Sequence, residues 1–262
     1  MDQVVETVQN LGLGYRMGTY KINILCYADD AVLIAESEYD PQIILHAFSK
    51  RAENLNMEIS ISKTKCMTIA KEPLRGKLTI DNTTIDQIMY FEYLGCKITR
   101  TGFLEDEVRR QVNKAATVSR HLKQPIWRNK HLRIPCKSRI YKTCVRPIMT
   151  YGAETGAETS VTKRILRTTE MKTLRTITGY TLNDIQRNTD IRERCETDDI
   201  VRRVRKRRRE WNQHVNRMTT DRIAKIVRNN IPHGRRPVGR PPKRWRDSWQ
   251  STSQELLQRN RN

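Results

Sequence analysis

Between Ile22 and Ala35 the chain reads INILCYADDAVLIA, two short apolar runs around a polar centre that carries Asp29 and Asp30. Such runs predict a β-hairpin with the acidic pair at or near its turn. Successive side chains of a flat strand point to opposite faces, so the two carboxylates can serve one site only where the backbone turns. Held that close they repel, and a divalent cation relieves the repulsion. Mg²⁺ favours carboxylate, phosphate and water oxygens, so such a site suits phosphoryl transfer. A bare Asp-Asp can also just end a strand, since Asp is common in turns. Tyr27-Ala28 ahead of the pair and β-forming runs on both sides favour the metal-binding reading.

The neighbouring segments extend an α+β pattern over residues 1–100. Asp40-Pro41 predicts a helix start, Asp40 as N-cap and Pro41 at the first helical position, with Ile44, Ala47, Phe48 and Leu55 on the apolar face. Met57, Ile59 and Ile61 alternate and predict a strand that runs into the turn SKTK. Leu78, Ile80 and Ile85 flank DNTT, a second hairpin signal. Residues 89–98, MYFEYLGCKI, read as an aromatic-rich strand with a glycine kink at Gly95.

After Gly102 the pattern turns helical over residues 101–220. Leu104, Val108, Val112, Ala115, Ser119 and Leu122 mark one face of a long helix, acidic in its first turn and basic at its end. Further helices are expected at about 136–149, at 161–178 ending at Gly179, and at 197–218. The last has Ile200, Val204, Trp211, Val215 and Met218 on its apolar stripe, with Arg208 in the remaining slot. A basic, flexible tail is expected over 221–262, where PHGRRPVGRPPKRW argues against regular structure.

Charge is unevenly placed. The chain is +21 overall, and residues 201–262 hold 19 Lys and Arg against 4 Asp and Glu, a net +15. That is an electrostatic footprint for a polyanion, most often nucleic acid. Arg202, Arg203, Lys206, Arg207, Arg208, Arg209, Arg240 and Arg244 are the phosphate-contact candidates, with Trp245 and Trp249 able to stack on bases or to pack together. The Lys206–Arg209 run also fits a nuclear-localisation patch, and Val238-Gly239-Arg240-Pro241 loosely resembles a minor-groove hook. The longest apolar run, Ala31 to Ala35, is too short to cross a bilayer, and the N-terminus lacks a secretory layout, so a soluble, intracellular and nuclear protein without a membrane partner is expected. Six cysteines without CxxC pairing or zinc-finger histidines read as reduced, mostly buried thiols.

Taken together, YADD at 27–30, MEISISKTKCM at 57–67, FEYLGCKI at 91–98, RIYKTCVRPIMTYGAE at 139–154, and the stretches 207–218 and 234–247 resemble, in order, reverse transcriptases of non-LTR (LINE-type) retrotransposons, the endonuclease-reverse transcriptase family. The resemblance spans roughly residues 15–250 and implies a partial polymerase palm over 1–100, a thumb-like helical region over 101–220, and a basic tail over 221–262. It implies that Asp29 and Asp30 help hold Mg²⁺, that Tyr27 sits beneath the primer end, and that Tyr93, Leu94 and Gly95 form a primer-grip hairpin. Lys63 stands where such enzymes carry a lysine near the leaving pyrophosphate; a solvated loop lysine is the plain alternative. RNA and DNA are the implied partners.

The chain also departs from the pattern. Only 26 residues precede Tyr27, too few for the fingers and the strand that donates a third carboxylate in such polymerases. An endonuclease domain is absent, and Gly156 stands where relatives place a Trp, which is expected to weaken a core contact. The expectation is therefore the C-terminal part of an RNA-directed DNA polymerase, inactive alone and weak in Mg²⁺ affinity. The alternative is a non-catalytic nucleic-acid-binding protein derived from such an element.

Overall fold

A computed structural model of the protein describes residues 1–69, 76–102, 104–230, Gly239 and Trp245. The chain divides into two compact units, Met1–Gly102 with Met218–Gly234, and Phe103–Arg217 with Arg235–Asn262.

The first unit mixes helices with short strands. Its elements are α1 (Asp2–Asn10), β1 (Tyr15–Met17), β2 (Tyr20–Ile22), β3 (Ile24–Tyr27), β4 (Asp30–Leu33), α2 (Asp40–Glu53), β5 (Lys65–Cys66), β6 (Thr79–Ile80), β7 (Thr83–Thr84), β8 (Asp86–Gln87), β9 (Tyr90–Tyr93) and β10 (Cys96–Thr99). Among the described residues the strands form two-stranded ladders, antiparallel except for β5 with β8. α1 and α2 pack on each other behind the β3–β4 hairpin, burying Val8, Ile24 and Ile44 together. Leu45, Ile80 and Ile85 make a second small core beneath the β6–β7 hairpin. Buried Asn23 ties hairpin to helix, its Nδ2 donating to the Val8 carbonyl at 2.7 Å.

Several local expectations are corrected here. Asp40 is the first helical residue rather than the N-cap; Tyr39 precedes it, and Ser37 Oγ accepts from the Asp40 N–H at 3.1 Å. Residues 57–61 alternate in exposure as a strand would, but no partner strand pairs with them, and they are irregular. Residues 89–98 are a hairpin, not one kinked strand: Leu94 and Gly95 both take positive φ (48° and 74°), which reverses the chain between β9 and β10. The DNTT hairpin forms as expected, with Asp81 and Asn82 at φ 47° and 62°. α1 was not anticipated, although Val4 and Val8, four apart and fully buried, carry its signal. Only Cys195 of the six free cysteines is buried; Cys26, Cys136 and Cys144 are exposed.

Gly14 is a fixed point of this unit. Its φ is +124°, and a Cβ there would lie 2.7 Å from the Ile22 carbonyl oxygen and 2.8 Å from the Asn23 Cβ. Gly14→Ala is expected to cost about 1–3 kcal/mol, combining backbone strain with overpacking against a rigid strand. Urea unfolding of the two proteins checks it; equal midpoints would refute it.

The second unit is helical. α3 (Leu104–His121) is followed by a π-helical turn at Lys123–Trp127, then α4 (Ile134–Ile140), a second π turn at Tyr141–Val145, and α5 (Arg146–Met149), so the expected helix at 136–149 forms with two residues added at its start. α6 (Ser160–Thr178) stops at Gly179 as predicted, with Thr159 and Thr162 forming a capping box at its start. α7 (Asn188–Arg194) was not anticipated, and α8 (Ile200–Arg217) was. The core includes Val112, Ala115, Trp127, Tyr141, Leu174 and Ile200. The expected tail opens on a short helix, α9 (Ile223–Asn229), which belongs to the first unit. The rest of the tail, including Arg240, Arg244 and Trp249, lies outside the described residues.

At Gly156, where a tryptophan is expected, there is no room for a side chain. Gly156 is buried against the first residue of α3: a Cβ there would lie 2.1 Å from Leu104 Cδ2. Leu104 occupies the space a larger side chain would need.

Candidate nucleic-acid and metal site

The β3–β4 hairpin is built as the sequence predicts. Ile24 pairs with Leu33, Leu25 with Val32, Cys26 with Ala31 and Tyr27 with Asp30, leaving Ala28-Asp29 as a two-residue loop. Ala28 takes φ +53°, a conformation an L-residue adopts at a cost of about 1–2 kcal/mol. Ile24 is buried on the α1–α2 side, whereas Tyr27, Ala28, Asp29 and Asp30 are all exposed. Burial therefore anchors the far end of the hairpin and leaves the acidic turn open to a ligand.

In the β9–β10 hairpin Tyr93 is half-buried; burial pushes its hydroxyl above the ordinary range, and the charges of Asp30 and Cys26 add to the shift. Leu94 and Gly95 form the exposed tip of that hairpin. On the other face, Lys97 Nζ lies 4.3 Å from the centre of the Tyr90 ring. Lys63 sits in an exposed turn whose backbone closes on the Ser60 carbonyl, Lys63 N at 3.1 Å and Thr64 N at 2.9 Å.

Donor chemistry fits Mg²⁺ as far as it goes. Asp29 and Asp30 offer adjacent, solvent-open carboxylate oxygens, the hard donors this ion takes. Among the described residues no group of three or more His, Cys, Asp or Glu side chains could hold a metal.

On α8 the basic run splits. Four consecutive helical residues spread around the axis at about 100° each and cannot share a face. Lys206 is exposed, 4.0 Å from Glu210, and Arg202 is exposed, 4.0 Å from Asp198. Arg207 turns to Glu154 at 3.1 Å. Arg208 is buried, its Nε donating to the Ala153 carbonyl at 2.9 Å and its Nη1 lying 3.5 Å from Glu158. It is a structural arginine, which corrects its reading as a phosphate contact. Arg203 and Arg209 are half-buried. Arg205, not singled out from the sequence, holds Glu158 by two bonds of 2.9 and 3.0 Å. Although burial pushes the Glu158 carboxyl up, Arg205, Lys163 and Arg208 together hold it below the ordinary range. Trp211 is half-buried and tilted against His214, while Asn212 takes the buried position beside it. Trp245 donates its indole N–H to the Glu154 carbonyl at 2.6 Å, so its polar edge is engaged within the protein.

Net charge is uneven along the chain well before its tail. Residues 1–102 carry 11 Lys and Arg against 13 Asp and Glu, a net −2, whereas residues 103–217 carry 28 against 13, a net +15. The carboxylate hairpin and the strongly basic segment therefore belong to different parts of the chain. No described helix is long and apolar enough to cross a membrane.

The described site is an exposed two-residue carboxylate turn backed by two helices. Residues 1–98 match the family described as reverse transcriptase (RNA-dependent DNA polymerase). A transposon-derived protein of Caenorhabditis elegans is 27% identical over 245 residues, covering 89% of this chain and 86% of that one. No solved structure matches. Both comparisons agree with a likeness to retrotransposon reverse transcriptases, which the family model carries over residues 1–98.

Proposed function

We propose that this chain is the C-terminal part of an RNA-directed DNA polymerase of a non-LTR, LINE-type retrotransposon, with palm elements in residues 1–102 and a thumb-like region in 103–217. The observation that carries it is the β3–β4 turn, which presents Asp29 and Asp30 to solvent. Asp29 and Asp30 would hold Mg²⁺, which when bound supplies charge neutralisation for nucleotidyl transfer. Tyr27 and the Tyr93–Gly95 tip offer a platform for a primer end, and exposed Lys63 is a candidate for charge near a leaving group. RNA and DNA are the partners, and the compartment is the nucleus.

By itself the chain is not expected to extend a primer, because the described donor set ends at two carboxylates. Primer extension on an RNA template with Mg²⁺ checks this; extension that disappears in Asp29→Ala would overturn it. Mn²⁺ should still broaden the NMR signals of residues 27–30 selectively, and Asp29→Asn should remove that broadening. Broadening spread evenly over the surface carboxylates would refute the metal assignment.

A second reading, a non-catalytic nucleic-acid-binding protein, is favoured by one observation: the +15 charge of residues 103–217 stands apart from the acidic turn. It predicts nucleic-acid binding that is indifferent to Asp29 and Asp30.

A further inference from the structure

Between α6 and α7 every residue from Thr181 to Asp190 is exposed. Two of them are large and aliphatic: Leu182 is 79% exposed and Ile185 88%. They stand at the two ends of one tight turn, closed by the Ile185 N–H, which donates to the Leu182 carbonyl at 3.3 Å. Asp184 locks that turn, its Oδ2 accepting from the Thr181 N–H at 2.6 Å and from the Thr181 hydroxyl at 2.8 Å. Ile185 takes φ +49°, a region that a β-branched residue adopts only under constraint. Both roots of the loop are fixed as well. Gly179 ends α6 in the left-handed conformation at φ +82°. Arg175 Nη2 of α6 donates to Asn188 Oδ1 at 2.8 Å. Arg194 of α7 donates to the Tyr180 hydroxyl, and its Cζ lies 5.4 Å from the centre of that ring.

One exposed leucine on a surface calls for no explanation. Two aliphatic side chains on one locked turn, one of them on a strained backbone, make a projecting apolar tip on a pinned loop. Charge selects what such a tip enters. Residues 103–217 are net +15 and draw a polyanion. From Gly179 to Cys195, in contrast, three arginines meet three carboxylates, so the loop is neutral and its tip sheds water at little cost. The largest apolar surfaces of a nucleic acid are the faces of its stacked bases. Leu and Ile reach them in a duplex by wedging between base steps. Single strands are bound on aromatic rings instead. Thr181 to Asp190 contain no aromatic residue, and the Tyr180 ring already faces Arg194.

We propose that the Leu182–Ile185 turn is a wedge that enters a base step of a nucleic-acid duplex. The wedge rests on the nucleic-acid reading given above and adds to it a contact that is not electrostatic.

The test compares the full chain with a double variant, Leu182→Ser and Ile185→Ser together. The probe is a short DNA duplex with 2-aminopurine in place of several adenines, whose fluorescence rises when bases unstack. Anisotropy of a labelled duplex at several salt concentrations gives affinity and salt slope. The parent should raise the 2-aminopurine fluorescence and the variant should not. The variant should bind about tenfold more weakly with an unchanged salt slope, because it loses apolar burial and no phosphate contact. It should melt with the parent, since both side chains are already exposed. A parent that binds without raising the fluorescence, or a variant equal to it in affinity and fluorescence, would overturn the wedge and leave the nucleic-acid reading standing. No duplex binding by the parent, even at low salt, would end that reading and the wedge with it. A lower melting point in the variant would show that the pair supports the fold, and would overturn the wedge too. If the parent self-associates, the variant does not, and the 2-aminopurine signal stays flat, the tip docks a second copy of the chain and the proposal fails.

Discussion

Arg192→Met is expected to destabilise the helical unit by about 3–5 kcal/mol, the cost of leaving a buried charge without its partner. Glu170 is wholly buried on α6, and Arg192 of α7 donates to its Oε2 through both Nε and Nη2. Asp199 keeps Arg167 when Arg192 is lost, so the penalty falls on Glu170. Replacing Glu170 with Leu in the same chain should recover most of the loss, because a buried ion pair exchanged for apolar groups is often close to neutral. The pH dependence has a definite sign. Burial already raises the Glu170 carboxyl above its ordinary 4.5 despite Arg192, and loss of that arginine raises it further. A group raised in the folded state adds stability below its unfolded value and loses it as pH climbs through the folded value. The deficit of Arg192→Met should therefore be largest at neutral pH and narrow toward and below about 4.5. Burial pushes Glu158 and Asp199 up too, but their arginine partners hold both below the ordinary range, so the parent loses their contribution as the solution is acidified. Denaturant midpoints of the parent and both variants across pH check this; a deficit that does not vary with pH would show that Glu170 is not the group left unpaired.

Nucleic-acid affinity should be carried chiefly by residues 103–217 and should fall steeply with salt. With 6–10 phosphates neutralised, binding is expected to weaken about 10³–10⁵-fold between 50 and 200 mM salt. Residues 231–262 hold 8 Lys and Arg against 2 Asp and Glu, a net +6, so ending the chain after Asn230 leaves the +15 of residues 103–217 in place. The truncated chain should keep most of its salt slope. Asp29→Asn with Asp30→Asn should leave binding nearly unchanged, since carboxylates carry no positive charge to a phosphate backbone. Arg208→Gln should lower stability rather than salt slope, because Arg208 is buried on Glu158 and the Ala153 carbonyl. Filter binding at graded salt decides among these; collapse of the slope on truncation would return the binding surface to the tail.

Local order was open to reading in the sequence because it depends on neighbours in the chain. The apolar runs around YADD specify a hairpin, Pro41 and Gly179 mark helix ends, and the spacing from Leu104 to Leu122 specifies α3. The acidic pair and its chemistry follow from the same local pattern. Tertiary structure decided the rest. Residues 57–61 have a strand's alternation, yet among the described residues no strand pairs with them, because a ladder needs a second strand in register. Arg202 and Arg208 look alike in a basic run, but one faces solvent and the other a buried glutamate, because α8 sets them on different faces and the loop carrying Glu154 and Glu158 packs against only one of them. Gly156 reads as a missing tryptophan until Leu104 is seen filling its place. The pairing of Glu170 with Arg192 joins groups on two helices. Charge in a sequence is a sum, whereas its neutralisation depends on which helices meet.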